Sequence, residues 1–224
     1  MSVLAFIHTV HSLAPVFEAL ARELLHGINT FHIVDESLLR RTIQEGKLTP
    51  ETMRRLIDYV GHCERSGADG ILVTCSSLGP ATDIAKQLTS RSLLRIDEPM
   101  VEEALRLGTR VGVLATLPST LNPTVELIRR LASDRHSAVE VQPYLCEGAF
   151  EALRRGEVEL HDEGVRTGLH ALCGWADVIV LAQASMARVT DQLSSDCPVP
   201  VLSSPRIAVE RMGALLAPAR SQAV

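Results

Sequence analysis

Residues 3–18 of this 224-residue chain can be laid over residues 111–126, and residues 67–77 over 175–185, with one shared offset of 108. In the first pair Val3, Leu13, Pro15 and Glu18 meet Val111, Leu121, Pro123 and Glu126. In the second, Ala68, Asp69, Ile71 and Ser77 meet Ala176, Asp177, Ile179 and Ser185. Unrelated sequence of ordinary composition gives roughly one identity in either window. A looser echo sets "RIDEPM" (95–100) beside "VLSSPR" (201–206), with Pro99 over Pro205. Distant windows that agree on one offset point to an internal duplication. A duplicated chain builds the same unit twice, which is a strong restriction on fold.

The unit itself reads as α/β. Apolar, β-branched runs predict strands near 3–8, 31–35, 70–75 and 93–97, then near 110–115, 139–142, 177–182 and 199–203. Most gaps between them carry helical patterns. In "PETMRRLIDYVGHCERSG" (50–67), Met53, Leu56, Ile57 and Val60 recur at helical spacing, with Thr49 placed to cap and Pro50 in the first turn. Strands that alternate with helices imply parallel sheets. The expected division is a first half of residues 1–98 plus 205–224 and a second half of 99–204.

Composition limits the partners. The hydrophobic fraction of 46% supports a sizeable core, and with aromatics at 3% the packing falls to Leu, Val, Ile and Ala. A net charge of −5 without a block of like charges argues against nucleic acid or an anionic membrane. No apolar run reaches the roughly 18 residues of a membrane span. "MSVLAFIHTVHS" lacks a basic leader and reads as a first strand. The five cysteines, Cys63, Cys75, Cys146, Cys173 and Cys197, are irregularly spaced with no CxxC pair. Neither a zinc site nor a disulfide framework is expected, and a reducing, cytoplasmic compartment is the simplest inference.

Ligands of open parallel sheets bind beyond the carboxyl ends of the strands, so two such sheets can line one cleft with equivalent loops. The first-strand loops are 8–12 (His8, Thr9, Val10, His11, Ser12) and 116–120 (Thr116, Leu117, Pro118, Ser119, Thr120). The third-strand loops are Thr74, Cys75, Ser76, Ser77 and Ala182, Gln183, Ala184, Ser185. The offset sets Cys75 over Gln183 and His8 over Thr116. Cys75 is either a buried strand-end thiol or a reactive one. A helix beginning after it would offer unpaired N–H groups and a positive dipole end, which favour a thiolate. Gln183 cannot exchange a proton, but its amide can hold a carboxylate or enediolate oxygen, or simply order its loop. Thr74, Ser76 and Ser77 add hydroxyl donors near the sulfur, and the hydroxyls of Thr116, Ser119 and Thr120, with Ser12, Ser77 and Ser185, suit an anion or serve as helix caps. His8 could accept a proton from Cys75 or from substrate, with His11 facing solvent. Cys146 and Glu147 could replace the thiol absent at 183. Asp97 and Glu98 are either cleft carboxylates or the start of a helix with Pro99 in its first turn. Cys63, Cys173 and Cys197 read as structural.

"GADGILVTCSS", "RVGVLATLPST" and "WADVIVLAQAS" together resemble the aspartate/glutamate/hydantoin racemase superfamily, which includes maleate isomerase and arylmalonate decarboxylase. The resemblance spans nearly the whole chain. It implies two pseudo-symmetric Rossmann-like (flavodoxin-like) halves, each a four-stranded parallel sheet flanked by helices, around a shared cleft. It implies catalysis with no metal and no organic cofactor, and a homo-oligomer. Racemases of this kind carry one cysteine on each wall. Here Cys75 holds the first position, Gln183 the second, and His8 stands where the family usually has Asp or Asn. The expected function is a cofactor-independent isomerase or racemase acting beside a carboxylate of a small acid: an amino acid, a hydantoin-like compound or a dicarboxylate. A decarboxylase or a binding protein without catalysis are the alternatives. The expected catalytic residues are Cys75 and His8. The expected substrate-binding residues are Thr9, Ser76, Ser77, Thr116, Thr120, Gln183, Ala184 and Ser185.

Overall fold

The computed structural model describes residues 1–190 and 197–217. Residues 218–224 of the expected first-half segment lie outside the described residues. Among the described residues the first half runs β1 (Val3–His8), α1 (Leu13–Leu24), β2 (Asn29–Val34), α2 (Glu36–Glu45), α3 (Pro50–Arg65), β3 (Gly70–Val73), a 3-10 turn (Ser76–Leu78), α4 (Gly79–Ala85) and β4 (Ser92–Arg95). The chain continues through α5 (Glu98–Leu107), β5 (Arg110–Ala115), α6 (Pro118–Asp134), β6 (Glu140–Leu145), α7 (Ala149–Arg154) and α8 (Val158–Cys173). It ends with β7 (Val178–Leu181), a second 3-10 turn (Ala184–Met186), α9 (Ala187–Thr190), β8 (Val201–Ser203) and α10 (Ser204–Leu216). All eight expected strands are present. Two four-stranded parallel sheets result, ordered β2-β1-β3-β4 and β6-β5-β7-β8. No described helix is long and apolar enough to cross a membrane.

Local chemistry starts and stops the helices as the sequence requires. Thr49 caps α3 by accepting from the Thr52 N–H at 3.2 Å, with Pro50 in the first turn. Asp35 caps α2, and Gly46 ends it at φ +65°, in the left-handed region that favours glycine.

Each sheet is covered on both faces, so its central strands alternate between two cores. On the first sheet Ala5, Ile7, Ile71 and Val73 face α2 and α3, whereas Leu4, Phe6 and Leu72 face α1 and α10. On the second sheet Val111, Val113 and Val180 face α5 and α6, whereas Leu114, Ile179 and Leu181 face α8. The repeat therefore equates α1 with α6 and α3 with α8. α8 lies 108 residues beyond α3 at both of its ends.

Backbone pairing shows where the offset slips. Thr74 N–H donates to Ile7 O, as Ala182 N–H does to Leu114 O; Asp35 N–H donates to His8 O, as Cys146 N–H does to Ala115 O. The third strands thus keep the offset of 108 while the first strands are related by 107. His8 lies over Ala115, and the counterpart of Thr116 is Thr9; the expected pairing of His8 with Thr116 is off by one residue. The repeated Asp has a structural cause. Asp69 accepts from the Val3 N–H and Asp177 from the Arg110 N–H, both at 2.9 Å. Each carboxylate pins the start of the first strand to its neighbour.

Two further expectations change. Cys173 and Cys197 form a disulfide, which removes the compartment argument drawn from cysteine spacing. Asp97 is no cleft carboxylate. It is fully buried and holds Arg95 through two hydrogen bonds of 2.7 and 2.8 Å, while Arg95 also reaches Asp83 at 2.7 Å. Glu98 pairs with Lys86. Arg95→Leu would leave Asp97 buried without its cation, at a cost of about 3–5 kcal/mol, and Arg95→Leu with Asp97→Leu should recover most of it. Urea unfolding of both variants checks this; a single variant as stable as wild type would contradict it.

Candidate active site

Strand alternation decides which side chains meet beyond the strand ends. Ile7 faces α3, His8 faces α1, and Thr9, one residue past β1, faces α3 again. Val73 and Cys75 share that face on the neighbouring strand. The Thr9 hydroxyl accordingly faces the Cys75 sulfur and favours its ionised form. The second half repeats the arrangement. The Thr116 hydroxyl donates to Gln183 Oε1 at 2.9 Å, and the Thr116 backbone N–H donates to the same oxygen. Both Thr116 donors need an acceptor, so the amide oxygen is fixed there and the amide nitrogen, with its two N–H donors, points away.

Hydroxyls join the two halves at the same level. Ser76 Oγ donates to the Ala182 carbonyl at 3.0 Å, and Ser77 Oγ lies 2.9 Å from Thr120 Oγ1 and 3.3 Å from Ser119 Oγ. Leu117 and the partly buried Phe150 of the second half pack into the apolar cluster that contains Cys75 and Val10. Thr9, Thr74, Cys75, Ser76, Ser77, Thr116, Leu117 and Thr120 are all buried, so the strand ends close on each other. Cys75, Thr9, Ser76, Ser77, Thr116, Thr120 and Gln183 therefore lie together at the strand ends.

The electrostatics of Cys75 differ from expectation. A 3-10 turn, not a regular helix, follows it. Burial pushes the thiol up; the Thr9 hydroxyl, the Ser77 and Leu78 N–H groups and the Ser77 hydroxyl pull it back without overcoming burial. Burial of the sulfur therefore favours the protonated thiol.

His8 is turned away from the sulfur. Its fully buried ring sits with Phe6, Phe17 and His32, Nδ1 is 2.8 Å from Thr74 Oγ1, and Nε2 is 2.8 Å from His32 Nδ1. His32 in turn reaches Glu18 at 3.2 Å. Burial and the His32 charge lower the His8 pKa to about 4. His11 is exposed and pairs with Glu36 at 2.7 Å. Ala184 packs against the apolar cluster shared by α1 and α10, and Ser185 is half-buried in its turn. Cys146 is buried beneath α8, where burial raises its thiol to about 11, and Glu147 is exposed.

One cluster went unread in the sequence. His161 of α8 is fully buried, with Nδ1 2.8 Å from Asp162 Oδ1; Arg188 of α9 holds the same carboxylate oxygen at 2.8 Å. Among the described residues His161 Nε2 is buried without a hydrogen-bond partner. The signal available was positional: 161 lies 108 residues after Met53, where the first half has an apolar side chain. Among the described residues no group of three or more His, Cys, Asp or Glu is arranged to hold a metal ion.

Comparison with known proteins follows this geometry. The family model described as Asp/Glu/Hydantoin racemase matches residues 8–212. The hydantoin racemase of Rhizobium meliloti is 24% identical over 164 residues, covering 68% of this chain and 62% of its own length. The hydantoin racemase of Paenarthrobacter aurescens is 25% identical over 148 residues, covering 66% and 61%. The chain thus spans a little over three fifths of the length of these curated relatives. Among solved structures, the allantoin racemase of Klebsiella pneumoniae superposes with a TM-score of 0.74 at 20% identity, covering 97% of this chain and 88% of that one.

The placement of His8 has a measurable consequence. With its folded pKa near 4 against an ordinary 6.5, the unfolded chain takes up the proton first. Stability is then full above pH 6.5 and is lost as pH falls towards 4, by up to about 3 kcal/mol. Urea unfolding at pH values from 7 down to 4 should show this slope in wild type and a flatter one in His8→Gln. Equal slopes would place the titrating group elsewhere.

Proposed function

Because the chain belongs to the Asp/Glu/hydantoin racemase family, we propose that it is a racemase-type isomerase that moves the proton on a carbon beside a carbonyl of a small acid, with Cys75 as the base on one wall. The observation that carries this reading is the repeated strand-end pair, Thr9 with Cys75 and Thr116 with Gln183. Both pairs lie at the carboxyl ends of parallel strands, where such sheets take their ligands.

The thiolate of Cys75 would take the carbon-bound proton, and the bonding electrons would move into the carbonyl to give an enolate. The Gln183 amide N–H donors and the hydroxyls around Ser77 and Thr120 would receive the oxygen charge. The strand-end lining named above is neutral, with no lysine or arginine, so a second carboxylate would lack a cation there. That favours a hydantoin-like ring over a dicarboxylate. Val10, Leu117 and Phe150 would accept its apolar substituent. With the strand ends closed, substrate entry requires the halves to part; the bodies proposed to move are 1–98 plus 205–224 and 99–204.

One observation favours a second reading. Gln183 carries no exchangeable acid of a thiol's kind, so one-sided chemistry, such as protonation by Cys75 after loss of carbon dioxide, remains a decarboxylase alternative. A single experiment separates them. Each enantiomer of 5-benzylhydantoin, allantoin, aspartate and glutamate, together with a phenylmalonate, is incubated in deuterium oxide and followed by proton NMR and chiral chromatography. Exchange with inversion supports the racemase, and carbon dioxide release supports the decarboxylase. Cys75→Ala should retain the fold and lose about 10²–10⁴-fold in rate; unchanged turnover would remove Cys75 from the mechanism.

A further inference from the structure

We propose that His161 is the second proton carrier of this site, acting from the wall that holds Gln183 on the face of the substrate opposite Cys75. The inference rests on the racemase reading above and names the group that completes it.

The placement comes from the repeat. Gln183 continues the alternation of Ile179 and Leu181, which face α8, just as Cys75 continues that of Ile71 and Val73, which face α3. Thr116 shares the face of Gln183 through their hydrogen bonds. His161 on α8 is the counterpart of Met53 on α3, and Met53 packs against the cluster that contains Cys75. The height along the helix agrees. A Cβ on Gly164 would lie 4.0 Å from the Cβ of Cys146, the residue just beyond β6. His161 is one turn nearer the start of α8, about 4.5 Å further along the helix axis. Helices of this sheet run antiparallel to the strands, so that turn stands beyond the strand ends, at the level of Thr116 and Gln183.

The ring is prepared for proton exchange. Asp162 accepts the Nδ1 proton, and Arg188 fixes Asp162 through Nη2 at 2.8 Å and Nε at 3.1 Å. Arg188 Nη2 also lies 3.2 Å from Nδ1, but the shorter contact is to the Asp162 carboxylate, which can only accept; the Nδ1 proton therefore goes to Asp162 and the lone pair falls on Nε2. Nε2 is buried and has no partner among the described residues, although buried polar atoms in native structures nearly always have one. A ligand supplies the missing partner. In one direction the Cys75 thiolate takes the proton, the C–H electron pair enters the enolate, and the His161 imidazolium returns a proton to the opposite face. In the other direction neutral His161 takes the proton and the Cys75 thiol returns one. Protons and charge balance without a further reagent.

The test uses the full-length protein, deuterium oxide and the probe that wild type interconverts fastest. His161→Asn keeps a donor for Asp162 and removes Nε2. It should still exchange one enantiomer with retention, the one served by Cys75. Exchange of the other enantiomer, and inversion, should fall by roughly a hundredfold or more. Circular dichroism melting controls for folding, and His161→Gln must show the same one-sided loss. Wild-type histidine ¹⁵N NMR needs no substitution: adding the probe should move the His161 Nε2 resonance. Symmetric loss from both enantiomers, inversion retained within about threefold, or an unmoved Nε2 resonance overturns the assignment of His161. A wild type that exchanges neither enantiomer of any probe overturns the racemase reading and this inference with it.

Discussion

Two hydroxyl contacts set the terms for the rest of the molecule: Thr9 on the Cys75 sulfur and Thr116 on the Gln183 amide. Each exists because a first strand and a third strand end side by side, and because side chains alternate between the two faces of a parallel sheet. The same alternation excludes His8, whose face belongs to Phe6 and Phe17. Its counterpart Ala115 is a core residue among Val111 and Val113. What stands on the α3 and α8 faces can reach the cleft; what stands on the α1 and α6 faces holds the halves together internally.

The contacts between the halves are of a kind that can be broken and remade. Ser76 with the Ala182 carbonyl and Ser77 with Thr120 are neutral hydrogen bonds, each worth about 1 kcal/mol net because water can replace either partner. Arg130 of α6 reaches Asp83 of α4 at 2.8 Å, but this arginine is half exposed, and such pairs contribute at most about 1 kcal/mol. Leu117 and Phe150 add apolar contact across the same boundary. By contrast, the Arg95–Asp97 pair inside the first half is buried on both sides. The strand ends are thus joined by neutral hydrogen bonds, whereas α10 also packs on α5, with Ile207 against the core of the second sheet and Arg211 paired with Glu102 at 2.6 Å.

The sequence carried most of the fold and about half of the site, for identifiable reasons. Strands showed as apolar runs, and the duplication located the two third-strand ends, Cys75 and Gln183. The first-strand ends were displaced by one residue because the identities Leu13/Leu121 and Pro15/Pro123 lie in the helices after the loop. The strand before that loop is related by 107, not 108. One residue of slip reverses the face of every side chain in a strand, and that is how His8 took the place of Thr9. The Cys173–Cys197 pair escaped because the two residues are separated by 24 positions without a spacing pattern. His161 escaped because a histidine in an amphipathic helix carries no signal of its own; only its missing partner, a property of packing, draws attention to it.

The protonation of Cys75 links these observations. The groups that stabilise its thiolate, the Ser77 and Leu78 N–H groups and the Ser77 hydroxyl, belong to the turn that follows it, and Thr9 belongs to the adjacent strand of the same half. Parting the halves leaves all four donors in place. What it removes is the contribution of Leu117 and Phe150 to the apolar cluster that contains Cys75, and burial is the influence that raises the thiol. An opened site therefore favours the thiolate. The competition between burial and fixed donors is won by burial in this structure, so the ionisation of Cys75 depends on how tightly its surroundings enclose it.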